Sequence, residues 1–210
     1  RMPIAQVDTQ QNVVTVQDHT TGTSSWAQFK QNHRYLIENV KEALEQPGQW
    51  YLDRPTGRLT YIPRQRETPE NTRVVAPRLK SLLLLRGDVA NRRWVRHIHL
   101  RGLTFAHAKW ATPPTGHSFP QAEINMGAAV AAMAARNVVF DRCAVRHVGE
   151  YAMGFGPGCR NNRVEACELV DLGAGGVKIG SALPTLWANT LSAPGDDEIQ
   201  VSHHTIEDCV

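Results

Sequence analysis

Leu100-Arg101-Gly102-Leu103-Thr104-Phe105-Ala106-His107 aligns with Phe140-Asp141-Arg142-Cys143-Ala144-Val145-Arg146-His147 and with Val164-Glu165-Ala166-Cys167-Glu168-Leu169-Val170-Asp171. A shorter copy, Ile206-Glu207-Asp208-Cys209-Val210, follows. The middle two copies agree over a longer stretch at an offset of 24 residues: Arg136-Asn137 meets Arg160-Asn161, Val148-Gly149 meets Leu172-Gly173, and Phe155-Gly156 meets Ile179-Gly180. Leu103 to Cys143 is 40 residues and Cys167 to Cys209 is 42, which is one repeat plus insertions of 16 and 18 residues. The insertions fall at about 108–127 and 181–202.

Short strands recurring every 20-odd residues, with Gly and Asn at the turns, point to an all-β fold, a right-handed parallel β-helix over residues 81–210. One repeat cannot bury its apolar face alone and must stack on its neighbours. Stacking in register sets equivalent residues about 4.8 Å apart. Leu103, Cys143, Cys167 and Cys209 then make one inward column, and Phe105, Val145 and Leu169 the next. Small thiols fill such a column well; no CxxC pair suggests zinc. Asp141, Glu165 and Glu207 share an outward slot with Arg101, a solvated face balanced by Arg101, Arg142 and Arg163. Leucine-rich repeats lack their pattern here, and a propeller repeat of about 40 residues does not fit the 24-residue offset.

Residues 1–80 read as a small β-rich lobe. Val13–Val16 is a strand candidate. Leu36, Val40 and Leu44 put an apolar stripe on an expected α-helix over 34–46, stopped by Pro47-Gly48. Trp50-Tyr51-Leu52 and Leu59-Thr60-Tyr61-Ile62 flank a Pro/Gly turn and predict a β-hairpin over 49–62. The chain of 210 residues has 41% hydrophobic and 20% charged residues, enough for a core. Lys+Arg 23 against Asp+Glu 20 is too even for a nucleic-acid binder, and no apolar run of membrane-span length occurs.

Gly102-Leu103-Thr104-Phe105-Ala106-His107-Ala108-Lys109-Trp110, Cys159-Arg160-Asn161-Asn162 and Asp171-Leu172-Gly173-Ala174-Gly175-Gly176-Val177-Lys178-Ile179-Gly180 resemble right-handed β-helix proteins of bacterial carbohydrate metabolism. The segment from Tyr35 to Tyr61 resembles the small β-rich insertion these proteins carry. Glycoside hydrolase families 120 and 141 share the layout over about residues 26–210. The resemblance implies a carbohydrate-active protein, a polysaccharide or oligosaccharide partner, no cofactor, and export. Family members are usually longer, so the chain is expected to be an N-terminal part of a larger β-helix.

Hydrolysis of a glycosidic bond needs two carboxyl groups flanking it. Asp171 is the first catalytic candidate: it ends a strand before a glycine-rich turn, in the slot His107 and His147 occupy in other repeats. Neutral His beside a carboxylate binds hydroxyls or tunes the acid. The bland alternative is an Asp bonding its own turn. Glu150, at a turn beside Tyr151, is the second catalytic candidate, against an exposed turn charge. His107, His147, Trp110 and Lys178 are the substrate-binding candidates. Trp faces suit sugar rings, although a loop Trp more often pins its loop. The insertions also hold His117, Phe119, Trp187 and Asp196-Asp197-Glu198; no metal-ligand spacing is evident. A glycoside hydrolase is the leading reading. The alternatives are a non-catalytic glycan-binding or adhesion β-helix, and a polysaccharide lyase with Lys178 as its base.

Overall fold

The computed structural model describes residues 1–17, 28–114, 116–117, 123–180 and 203–210. The chain forms two compact units, Phe29–Val75 and, separately, Arg1–Gln28 with Ala76–Val210. The first 28 residues thus group with the repeats, where the sequence placed them in the lobe.

In the larger unit, β1 (Ile4–Asp8) and β2 (Val13–Val16) form an antiparallel pair. In the smaller, β3 (Trp50–Asp53) and β4 (Arg58–Tyr61) form the expected hairpin, Trp50 opposite Tyr61. The expected helix over 34–46 is absent. A single 3-10 turn, Lys41–Ala43, is all that forms. Leu36 is 83% exposed while Val40 and Leu44 are only half-buried, so the stripe lacks a continuous partner surface, and a helix this short does not hold in water unaided. Asn39 adopts a left-handed φ of 59°. Its side chain accepts from Leu52 N at 2.9 Å and donates to Leu52 O at 3.0 Å. The segment is tied to the hairpin edge as an extended strap instead.

The repeats build parallel sheets. In chain order the strands are β5 (Leu83–Arg86), β6 (Val95–Arg96), β7 (His99–Arg101), β8 (Thr104–Ala108), β9 (Ala128–Met133), β10 (Ala135–Arg136), β11 (Val139–Asp141), β12 (Ala144–Val148), β13 (Tyr151–Phe155), β14 (Arg163–Glu165), β15 (Glu168–Leu172), β16 (Val177–Ile179) and β17 (Thr205–Glu207). One sheet has the order β17-β14-β11-β7, a second β15-β12-β8, a third β16-β13-β9-β5, and β10 pairs with β6. Each pass of the chain therefore lays one strand in each sheet. The register is the one the alignment expects: Phe140 pairs with Leu100 and Val164, and Val145 with Phe105 and Leu169.

Single left-handed residues bend the chain between strands. Gly102, Arg142, Ala166 and Asp208 occupy one corner with φ of 66, 51, 48 and 52°. His97, Asn137, Asn161 and His203 occupy another, at 56, 54, 55 and 55°. Such a φ costs a non-glycine residue roughly 1–2 kcal/mol, so stacking must hold these corners.

The core lies between the sheets. Phe140, Val138, Val145 and Met153 are fully buried, and Phe140 meets Phe155 edge-on at 6.3 Å. Cys143 and Cys167 are buried in the expected column and Cys209 is half-buried at its end, but Leu103, expected to face inward from the first copy, is 43% exposed. Each thiol donates to a carbonyl of the preceding repeat: Cys143 to Leu100 O, Cys167 to Phe140 O and Cys209 to Val164 O, at 3.4–3.5 Å. Burial pushes the Cys167 thiol up to about 11, which keeps it protonated and unreactive. Asn162, 1% exposed, bridges two turns by accepting from Val138 N and donating to Ala135 O, both at 2.9 Å. The outward slot is charged as expected. Arg101 Nε lies 3.0 Å from Asp141, Arg142 pairs with the same carboxylate, and Arg163 bridges Glu165 and Glu207.

Candidate active site

At the corner between the second and third sheets the chain turns at Lys109-Trp110, Gly149-Glu150 and Gly173-Ala174. These positions stack very closely. A Cβ on Gly149 would sit 2.5 Å from the backbone N of Trp110, and one on Gly173 would sit 2.2 Å from Gly149 O. Glycine is required at both positions because backbone lies where a side chain would go. Strand packing thus lowers this corner and leaves a cleft of about 370 Å³.

Trp110, His117, Glu123, Met126, Gly149 and Gly173 line the cleft, with Arg1 beside Trp110. His117 Nε2 hydrogen-bonds Glu123, and its ring meets Trp110 edge-on at 5.3 Å. The cleft therefore holds an aromatic face and a carboxylate fixed by an imidazole. Its two inward strands, β12 and β15, end at the glycines that line it.

Glu150 follows the lining residue Gly149 in the chain but is not itself among the residues that line the cleft. Its residue is only 9% exposed, and Oε2 packs against the position a Gly127 side chain would fill, 2.5 Å away. Burial pushes its carboxyl above the ordinary carboxylate range, opposed by the charges of Lys80 and Lys178. The expectation of an exposed turn charge is overturned. Lys178 is half-buried rather than solvent-facing. Its Nζ donates to Ile124 O at 3.4 Å and to Met126 O, and lies 5.2 Å from the Tyr151 ring. Burial lowers its pKa, against the opposing charge of Glu150. Lys178 thereby ties the segment carrying Glu123 and Met126 down over Glu150.

Asp171, His147 and His107 form a different feature, an outer ladder. The His107 and His147 rings stack 5.1 Å apart at 14°, and His147 Nδ1 lies 2.6 Å from Asp171 Oδ2. All three backbones are left-handed, at 67, 54 and 53°, which turns their side chains onto one ridge. The Asp171 side chain is 73% exposed and that of His147 49%. None of the three lines the cleft. Of the residues the sequence singled out, the structure brings Trp110 to the cleft, and Glu150 and Lys178 near each other but outside its lining. It sets Asp171, His107 and His147 apart on their own ridge.

Glu123 and its bond to His117 escaped the sequence reading. They lie in an insertion with no repeat to align, and their pairing spans a loop. Phe119, Trp187 and Asp196-Asp197-Glu198 lie outside the described residues. Among the described residues no group of three His, Cys, Asp or Glu side chains is gathered to hold a metal ion, and no helix is long and apolar enough to cross a membrane.

No protein-family model matches the chain, and no curated protein matches it either. Among solved structures, one named "Glycoside hydrolase" is similar, with a TM-score of 0.65 and 22% sequence identity. The likeness covers 81% of this chain and 34% of that one. The chain thus spans about a third of the length of that protein, and what the two share at this identity is the fold.

Proposed function

We propose that this chain is a right-handed parallel β-helix of a carbohydrate-active protein and that the cleft at Trp110 is a glycoside hydrolase site. The observation that carries the reading is Glu150, a carboxyl held nearly out of water beside a cleft that already contains a second carboxylate, Glu123, and a tryptophan. A general acid for glycoside cleavage needs a raised pKa, and desolvation is the way a protein supplies it. In this reading Glu150 gives its proton to the glycosidic oxygen as the C–O bond breaks. Glu123, oriented by His117, faces the oxocarbenium-like carbon. Water adds there either directly, giving its proton to Glu123, or after attack by the Glu123 carboxylate, giving its proton back to Glu150. Trp110 offers its face to the sugar ring. The ridge of His107, His147 and Asp171 offers hydrogen bonds to hydroxyls flanking the cleft. The fold likeness to a structure named glycoside hydrolase supports the substrate class. Lyase chemistry is less well served, because Lys178 is engaged with two carbonyls.

The test is reducing-end release from neutral polysaccharides by the full chain and by Glu150→Gln. Loss of a general acid lowers the rate about 10²–10⁴-fold, while the near-isosteric amide leaves the melting temperature in place. Activity of the parent falls as pH rises through the raised Glu150 pKa, since the ionised carboxylate has no proton to give. Equal rates for parent and variant would remove Glu150 from the mechanism. Products with an unsaturated-sugar absorbance would establish a lyase instead.

A further inference from the structure

On β16, Lys178 pairs with Gly154, Gly154 pairs with Ala131, and Ala131 pairs with Leu84. Lys178 is the charged member of an otherwise apolar row. Gly154 and Ala131 leave its four-carbon stem room to lie along the sheet, and the residue is half-buried. An ammonium drawn out of water needs partners for its three N–H donors. Two of them go to carbonyls of one turn, Ile124 O at 3.4 Å and Met126 O. That turn carries Glu123 and Met126 to the cleft they line. Met126 N closes it by donating to Glu123 O at 2.9 Å. Glu123 is left-handed there, with φ of 46°, a conformation that a non-glycine residue keeps only where its surroundings hold it. His117 holds the Glu123 carboxylate, and Lys178 holds the carbonyls that follow. The turn falls between β8 and β9, outside both strands, so the Lys178 bonds are cross-ties from it to the third sheet.

We infer that Lys178 is a positioning residue that couples the two carboxylates of the proposed site: it latches the Glu123 turn to the third sheet while its charge faces Glu150. Its effect on rate rests on the hydrolase reading of the cleft; the latch itself does not. The charge coupling runs both ways. Lys178 and Lys80 are the cations acting on Glu150, and Glu150 is the anion acting on Lys178. The Tyr151 ring also faces Nζ, at 5.2 Å. A nearby cation favours the ionised form of a carboxyl. Lys178 therefore works against burial, lowering the pH at which Glu150 gives up its proton. An arginine at this position keeps the charge and brings a fork of donors that can reach both carbonyls. A methionine keeps the apolar stem and loses donors and charge together. Lys80, which is exposed, supplies charge to Glu150 from outside the turn, so its removal separates charge from latch.

The test compares Lys178→Met, Lys178→Arg and Lys80→Met in the full chain by two readouts. The first is amide hydrogen exchange at Met126, whose N–H closes the turn. It speeds up at least about 10-fold in Lys178→Met, while the amides of β9 and β13 keep their protection. Lys178→Arg and Lys80→Met exchange at the parent rate. The second readout is the pH profile of reducing-end release from neutral polysaccharide. Lys178→Met loses about 10²-fold in kcat, the cost of a misplaced catalytic group, and its alkaline limb moves to higher pH. Lys80→Met moves the limb in the same direction and keeps its kcat; Lys178→Arg keeps both. Unchanged Met126 exchange in Lys178→Met overturns the latch. So does loosening shared equally by β9 and β13, which would make Lys178 a residue of the fold at large, and so does equal loosening in Lys80→Met or no rescue by arginine. Faster Met126 exchange in a chain that hydrolyses no glycan supports the latch and overturns the hydrolase reading. Hydrolysis that Lys178→Met leaves intact, with Met126 exchange unchanged, does the reverse.

Discussion

Phe140→Ala lowers the free energy of unfolding by about 3–5 kcal/mol. Phe140 is fully buried on β11 and lies in the row that pairs Leu100, Val164 and Ile206 across four passes of the chain. Its ring packs edge-on against Phe155 of the opposite sheet, so truncation removes the transfer energy of the ring and one aromatic pair together. The cavity left between rigid stacked strands cannot collapse, because the flanking backbone is locked in the parallel ladder. Chemical denaturation reads the loss as a lower midpoint at an unchanged slope. A change under about 1 kcal/mol would mean that the sheets close over the gap and that the core is far more plastic than a stacked repeat allows.

Gly173→Ala has an effect of similar size for the opposite reason. The added methyl would lie 2.2 Å from Gly149 O and 2.4 Å from Gly149 C. Backbone, unlike a side-chain tip, has no rotamer by which to move aside. Overpacking of this kind costs roughly 3 kcal/mol or more, and here the displaced atoms are the floor of the cleft. Under the proposed function, glycan binding at Trp110 falls together with stability. Gly176→Ala is the control three residues away. Its methyl would meet only Leu169 Cδ1 at 3.4 Å, and its change stays within about 1 kcal/mol. Equal effects at the two glycines would remove the close approach of Gly173 to Gly149 as the basis of the corner.

The repeat region was legible because its signal is redundant. The Cys143 and Cys167 copies each carry a small residue two places before an apolar one, and the 24-residue offset set the register residue by residue. What the repeat does not contain could not be read. The stripe of Leu36, Val40 and Leu44 has helical spacing, but spacing does not say whether a partner surface exists. Asn39 decides otherwise by bonding Leu52, 13 residues away. One corner was harder to read for a related reason: besides Gly102 and Asp208, its left-handed positions carry Arg142 and Ala166, which no turn rule singles out, whereas Asn137 and Asn161 mark the other corner. In the site, alignment placed His107, His147 and Asp171 in one column, and the structure shows them touching in that order. Alignment could not tell that this column faces out while Glu150, three residues beyond His147, is buried. Burial depends on Gly127 and on the carbonyls that Lys178 grips, and both come from the insertion.

The ionisation of Glu150 tests the central claim most directly. Its side-chain carboxyl can be followed by carbon-detected NMR through a pH titration of the full chain, with Glu150→Gln to assign the signal. The account requires a midpoint above the ordinary glutamate value of about 4.3, because burial outweighs the nearby Lys80 and Lys178 charges. It also requires that the midpoint move when a bound oligosaccharide fills the cleft. Titration at or below the ordinary value, unchanged by saturating sugar, would contradict the assignment of Glu150 as the proton donor of a glycan-cleaving cleft.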